Sequence, residues 1–191
     1  MKSLLAALAA CLALAPAGAA TSDSDYVEAI VDDCVRRLYV SSDAHWHKGE
    51  YNHLINLNRM VVAAWPTFTE AYVNAGWLLW SMNRDDEAVA LYDAGIAANP
   101  NTYALYNEKA FYMVTRKKDW KQGLALLEKA ASMKDCAKIV LHTLAHAYER
   151  TGQLDRALGT WNRAADDAAN PGRAAARVNR DRVRRLIEQA K

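Results

Sequence analysis

The side chains of this sequence best suited to metal or nucleophilic chemistry are five histidines and three cysteines, and their spacing limits what they can do. His142 and His146 stand four apart, which places both on one face of a helix, an arrangement from which zinc is often bound. His45-Trp46-His47 supplies two more imidazoles. These four histidines make a small-ligand, zinc or haem carrier one reading of the chain. The zinc-metalloprotease signature needs a glutamate directly after its first histidine to activate metal-bound water, and Thr143 occupies that place. The sequence contains no glycine-rich phosphate loop, no Gly-x-Ser-x-Gly turn, and no serine or cysteine with a base at motif spacing. The acidic pairs Asp32-Asp33, Asp85-Asp86 and Asp166-Asp167 fall in turns or on polar faces, where solvation accounts for them. The chain therefore reads as non-catalytic, with no metal or other cofactor required.

Charge and cysteine usage bound the setting. With 24 basic and 22 acidic residues in 191, the chain offers no general attraction to nucleic acid. It opens Met1-Lys2-Ser3, stays apolar from Leu4 to Ala15, and leaves through Pro16-Ala17-Gly18-Ala19-Ala20. One positive charge, a short apolar core and small exit residues form a secretory signal over residues 1–20, with cleavage expected after Ala20. A membrane span takes about 18 uninterrupted apolar residues, and no run reaches that length. Export across the inner membrane to a bacterial periplasm is the expected location. The alternative is a lipoprotein, since Leu8-Ala9-Ala10-Cys11 resembles a lipobox that would be anchored through Cys11. Cys34 and Cys136 lie nearly three repeat units apart, roughly 25–30 Å at about 10 Å per helix layer. A disulfide tolerates no more than about 7 Å between Cα atoms, so both are expected as unpaired, buried thiols.

The elements that position these residues repeat. Pro66 and Pro100 are 34 residues apart, each preceded by a helical stretch and followed by an aromatic-rich one. In the clearest unit, 69–102, Tyr72, Ala75-Gly76 and Leu79 share one helix face, Ala88, Tyr92 and Gly95 share the facing one, and Pro100 closes the unit. Asn83-Arg84-Asp85-Asp86 forms the turn, with Asp85 expected to cap the second helix. Unit 103–137 repeats the pattern through Tyr106, Ala110, Gly123, Leu127 and Ala130, with one extra residue near Thr115–Asp119. Unit 138–171 repeats it through Leu144-Ala145, Tyr148, Gly152, Ala157 and Trp161. Unit 35–68 is half-degenerate, with Ser41-Ser42 in place of the usual Leu-Gly. Its first helix either follows a separate N-terminal helix at 21–34 or merges with it, since Val27, Ile30, Val31, Cys34 and Leu38 recur at helical spacing. After Asn170-Pro171-Gly172, residues 172–191 read as a capping helix whose Ala175, Val178, Val183, Leu186 and Ile187 cover the last unit.

A 34-residue period with an aromatic at position 4, small residues at 8, 20 and 27, an aromatic at 24 and proline at 32 resembles the tetratricopeptide repeat family. The resemblance covers about 135 residues and implies an all-α, right-handed solenoid of about four helix-turn-helix repeats. It also implies that the first helices of successive units line a concave groove for a protein or peptide segment. Carried over position by position, the groove would present Trp46, Glu70, Asn74, Trp77, Trp80, Asn107, Glu108, Phe111, His142 and His146, with Arg36, Tyr39, Asp43, His47, Val114 and Glu149 beside them. Some members clamp a partner's terminal carboxylate with Lys, Asn and Arg at three of these places. Here Tyr39, Val40, Asp43, Asn74, Trp77, Asn107, Glu108, His142 and His146 stand there and only Asn74 fits, so that partner is not expected. The acidic and aromatic groove suits a basic or apolar segment, read by a scaffold or adaptor of the cell envelope.

Two further expectations attach to the ends. Arg173, Arg177, Arg180 and Arg184 share one face of the last helix and could touch an anionic membrane surface or simply be solvated. The N-terminal helix could itself fill the groove, which would make the protein a structural subunit.

Overall fold

The computed structural model describes residues 23–190, so the expected signal and Cys11 lie outside the described residues. Within them are nine α-helices and no strand, folded as an all-α repeat solenoid: α1 (Asp23–His47), α2 (Tyr51–Ala64), α3 (Thr69–Ser81), α4 (Asp85–Ala98), α5 (Tyr103–Tyr112), α6 (Trp120–Ala131), α7 (Val140–Arg150), α8 (Leu154–Asp166) and α9 (Arg173–Gln189). Consecutive helices pack as antiparallel pairs, and each helix touches the next. No described helix is long and apolar enough to cross a membrane.

The α3–α4 pair shows how the sequence sets this packing. Gly76 lies directly under the ring of Tyr92, and a Cβ built on it would sit 2.5 Å from that ring. Gly95 lies in the same way under Tyr72, where a Cβ would meet the ring at 2.9 Å and Leu105 at 3.1 Å. Each helix thus offers a bare patch of backbone to an aromatic ring from the other, and both rings are buried. Pro100 follows α4 because its missing N–H and its ring end the helix. Asn99, just before it, donates through Nδ2 to Gly95 O at 3.1 Å and to Pro66 O at 2.9 Å, tying the closing turns of two successive units.

The extra residue of the third unit is taken up in a π-helical turn at Met113–Lys117, after which Lys118 adopts a left-handed conformation (φ 57°). Asp119 then caps α6 by accepting from Gln122 N at 2.9 Å. Asp85 does not cap α4 as expected; Arg84 stands at that position without a side-chain cap. The Asp85 carboxylate is drawn instead to the next unit, where Arg116 (3.1 Å) and the Tyr112 hydroxyl (3.1 Å) donate to it. Those hydrogen bonds, Arg116 foremost, hold the Asp85 carboxyl below its usual pKa.

At the N-terminus, α1 runs unbroken through the expected junction at 34/35. Neither proline nor glycine interrupts it before Gly49, and the Ser41 and Ser42 hydroxyls bond back to Leu38 O and Tyr39 O within the helix. Val35 is buried with Val61 and Ala71, and Val31 and Leu38 pack beside them. Val27, Ile30 and Cys34 point outward, so Cys34 is an exposed thiol rather than a buried one; neither Cys34 nor Cys136 is in a disulfide. Residues Ser24 to Val31 lie beside the Ala64–Thr67 turn, so this stretch does not fill a groove between the first helices.

At the other end α9 covers the last repeat through part of the expected face. Ala176 and Val183 are buried and Ile187 packs beside them, while Ala175, Val178 and Leu186 are exposed. Glu149 ties α8 to α9. Only 13% exposed, it accepts from Trp161 Nε1 at 2.8 Å and pairs with Arg182 at 2.7 Å. His142 and His146 stand edge-on to Trp161, with ring centroids 5.2 and 4.9 Å away, and His142 Nε2 lies 2.9 Å from Asn170 Nδ2. Burial lowers the pKa of both imidazoles. The arginine stripe of α9 is partly neutralised, because Arg180 (2.9 Å) and Arg184 (3.7 Å) both approach Asp181.

Two glycines test this packing from opposite sides. Gly76→Ala should destabilise the protein by about 1–3 kcal/mol, since the Tyr92 ring must move. Gly159→Ala, where a Cβ meets nothing within 4 Å, should stabilise α8 by about 0.5–1 kcal/mol; urea unfolding of both variants checks the pair. The depressed histidines make stability fall as pH drops below 6.5, because the unfolded chain takes up protons that the folded cap refuses. Above 6.5 that contribution is complete, and it is lost toward the folded-state pKa. The loss between about pH 7.5 and 5.5 should be visibly smaller in His142→Gln/His146→Gln.

Candidate functional site

The interlock of each helix pair leaves the outer faces of the first helices free to meet those of neighbouring units. Between α1, α3 and α5 they enclose an open cleft of about 660 Å³. The second half of α1 contributes Tyr39, Val40, Ser42, Asp43 and Trp46; α3 contributes Val73, Asn74, Trp77 and Leu78; Leu54 and Glu108 come from α2 and α5. The spacing is helical on both walls: 39, 43 and 46 on one side, 74, 77 and 78 on the other.

The walls are held by contacts that cross the cleft. Asn74 Nδ2 donates to the Tyr39 hydroxyl at 2.6 Å, and the Tyr39 ring meets Phe68 edge-on at 5.0 Å. Burial raises the Tyr39 hydroxyl's pKa and keeps it neutral. Trp46 lies 5.8 Å from Trp77 and 5.6 Å from Tyr51, ring centre to ring centre. These two tryptophans are buried on one side and open on the other, at 40% and 39% exposure. Two large rings in that state form a firm apolar platform that still has area to give to a ligand.

Of the expected groove residues, Trp46, Asn74, Trp77 and Glu108 come together in this cleft. Asn74 gives one amide hydrogen to Tyr39, which leaves the other hydrogen and the oxygen for a ligand. Trp80 turns away; it packs against the core between α3 and α4, 6.2 Å from Tyr112, so the aromatic row continues to Tyr112 rather than to Phe111. Phe111 is exposed on α5, outside the cleft lining. Glu70 is exposed at the start of α3, accepting from Thr69 at 3.2 Å, and Asn107 donates to Glu108 at 3.3 Å. His142 and His146 belong to the α9 cap. His45 is stacked on His53 (5.4 Å) with Nδ1 2.6 Å from Glu50, whose carboxyl this contact holds below its usual pKa. Among the described residues no three His, Cys, Asp or Glu side chains converge as a metal site. The apolar wall residues Val73 and Leu78 escape a positional reading, because an isolated valine or leucine in a helix reads as core.

Residues 69–102 match the family model described as tetratricopeptide repeat. No curated protein matches the chain. Among solved structures it is similar to TTC0263, a thermophilic TPR protein of Thermus thermophilus, at 18% identity over 84% of this chain and 87% of that one (TM-score 0.60). It is similar also to PilF of Pseudomonas aeruginosa, at 10% identity over 83% and 71% (TM-score 0.67), and to PilW, a type IV pilus biogenesis factor, at 14% identity over 82% and 71% (TM-score 0.63). Identities this low speak for the fold, and it is the same fold throughout. The chain thus carries a tetratricopeptide repeat at 69–102 within an all-α repeat solenoid that shares its fold with tetratricopeptide-repeat structures.

Proposed function

We propose that the protein is a non-catalytic scaffold of the bacterial envelope that docks a segment of a partner protein in the cleft between α1, α3 and α5. The tetratricopeptide fold is in general one of protein–protein interaction. The observation that carries this reading to a place on the molecule is the half-exposed Trp46–Trp77 platform beside open, largely apolar walls. Buried aromatics ringed by polar groups are where interface energy concentrates. The walls are already held by Asn74–Tyr39 and by ring packing, so little of the protein must order when a segment arrives. The envelope setting rests on the signal-like residues 1–20, and the pilus-biogenesis role of PilW, a neighbour in fold, is compatible with it.

Selection of displayed peptides on the full chain, followed by titration of the peptides recovered, tests the site. Trp46→Ala/Trp77→Ala should weaken binding about thirtyfold or more while keeping the helical circular-dichroism spectrum. Undiminished affinity in that folded variant would remove the cleft from consideration.

A further inference from the structure

Glu108 enters the cleft from α5 as a half-buried carboxylate with a weak hydrogen-bonding companion, the Asn107 amide at 3.3 Å. Among the described residues no cation acts on it; burial dominates its surroundings and raises its pKa. Withdrawing a carboxylate from water without a partner costs free energy, so groups of this kind ordinarily sit beside an arginine or lysine. The cleft supplies none. Its charged lining residues are Asp43 and Glu108, both acidic, and Asp43's neighbour is the exposed His47 at 3.6 Å. The rest of the lining strengthens the same sign. Tyr39, Trp46 and Trp77 present aromatic rings, whose faces carry partial negative charge and attract cations. Carboxylate, rings and apolar walls together match a long side chain with an aliphatic stem and a cationic end.

We propose that the cleft receives an arginine or lysine side chain of the docked segment, its charged end on Glu108 and its stem along Trp46 and Trp77. This rests on the docking site argued above and adds the chemistry of its occupant: a polypeptide carrying one cationic residue among apolar ones. Glu108 is then the specificity-determining residue. The partner's cation supplies the ion pair that the free protein lacks, and apolar neighbours on the segment cover Val40, Val73 and Leu78.

The peptide selection distinguishes this inference from the one beneath it. Wild type should enrich arginine or lysine at a single position, and should prefer an arginine peptide over its citrulline counterpart by about thirtyfold. Glu108→Gln should lose that preference and bind both peptides alike, while Glu108→Asp, which keeps the charge, should retain it. If the recovered peptides depend on Trp46 and Trp77 but show no cationic position, the cation inference is overturned and the docking site stands. The same holds if the preference survives in Glu108→Gln. If no peptide depends on Trp46 and Trp77, both readings fall.

Discussion

The reciprocal seating of Tyr92 on Gly76 and Tyr72 on Gly95 is the constraint from which the rest of the architecture follows. Two helices approach this closely only where one offers no side chain, and the ring that fills the gap fixes both their separation and their rotation. Because the exchange is mutual, neither helix can slide or turn without lifting a ring off the backbone of the other. With the inner faces committed in this way, the first helices must present their remaining faces to the units before and after. The cleft between α1, α3 and α5 is a by-product of that commitment. Its tryptophans, Trp46 and Trp77, are half-exposed on the faces left over.

Contacts between units repeat at nearly the period of the sequence. Asn99 reaches back 33 residues to Pro66 O, and Arg116 reaches back 31 to Asp85 and 33 to Asn83. A solenoid held this way is stabilised by neighbour-to-neighbour terms, and its ends are where the pattern must stop. The C-terminal end stops at a polar lock: Glu149 joins Trp161 of α8 to Arg182 of α9, with His142 and His146 packed on the same indole. The histidine pair most like a ligand set in sequence is thereby accounted for by packing. The N-terminal end stops with a long helix, α1, whose inner face serves the first unit and whose outer face carries Val27, Ile30 and Cys34.

How far the sequence can be read depends on whether a residue's role is set by the repeat or by its surroundings. Tyr72, Gly76, Ala88, Tyr92 and Gly95 can be assigned from position alone, because each has one task and one size that suits it. Trp46, Asn74, Trp77 and Glu108 can be placed on the groove side for the same reason. Trp80 cannot, since its position permits either face and the decision lies with Tyr112 of the next unit. Asp85 reads as a cap from its place before a helix, but Arg116, 31 residues later, offers a charged partner that outweighs one backbone amide. In α9, Val183 and Ile187 pack as their spacing indicates, whereas Val178 and Leu186 look like core in sequence and are exposed. Beside them Arg182 pairs with Glu149 at 2.7 Å.

The cleft is aromatic, apolar and acidic, and it lies toward one end of an otherwise tightly interlocked solenoid. The chain's six tryptophans provide an internal map, because Trp46 and Trp77 line the cleft while Trp120 and Trp161 lie in the core toward the C-terminus. The most direct measurement is the indole ¹H–¹⁵N spectrum of the full chain as an arginine-containing selected peptide is added. Docking in the cleft predicts that the Trp46 and Trp77 signals move and those of Trp120 and Trp161 stay in place. Movement of Trp120 or Trp161 with Trp46 and Trp77 unchanged would contradict it and put the binding surface elsewhere on the solenoid.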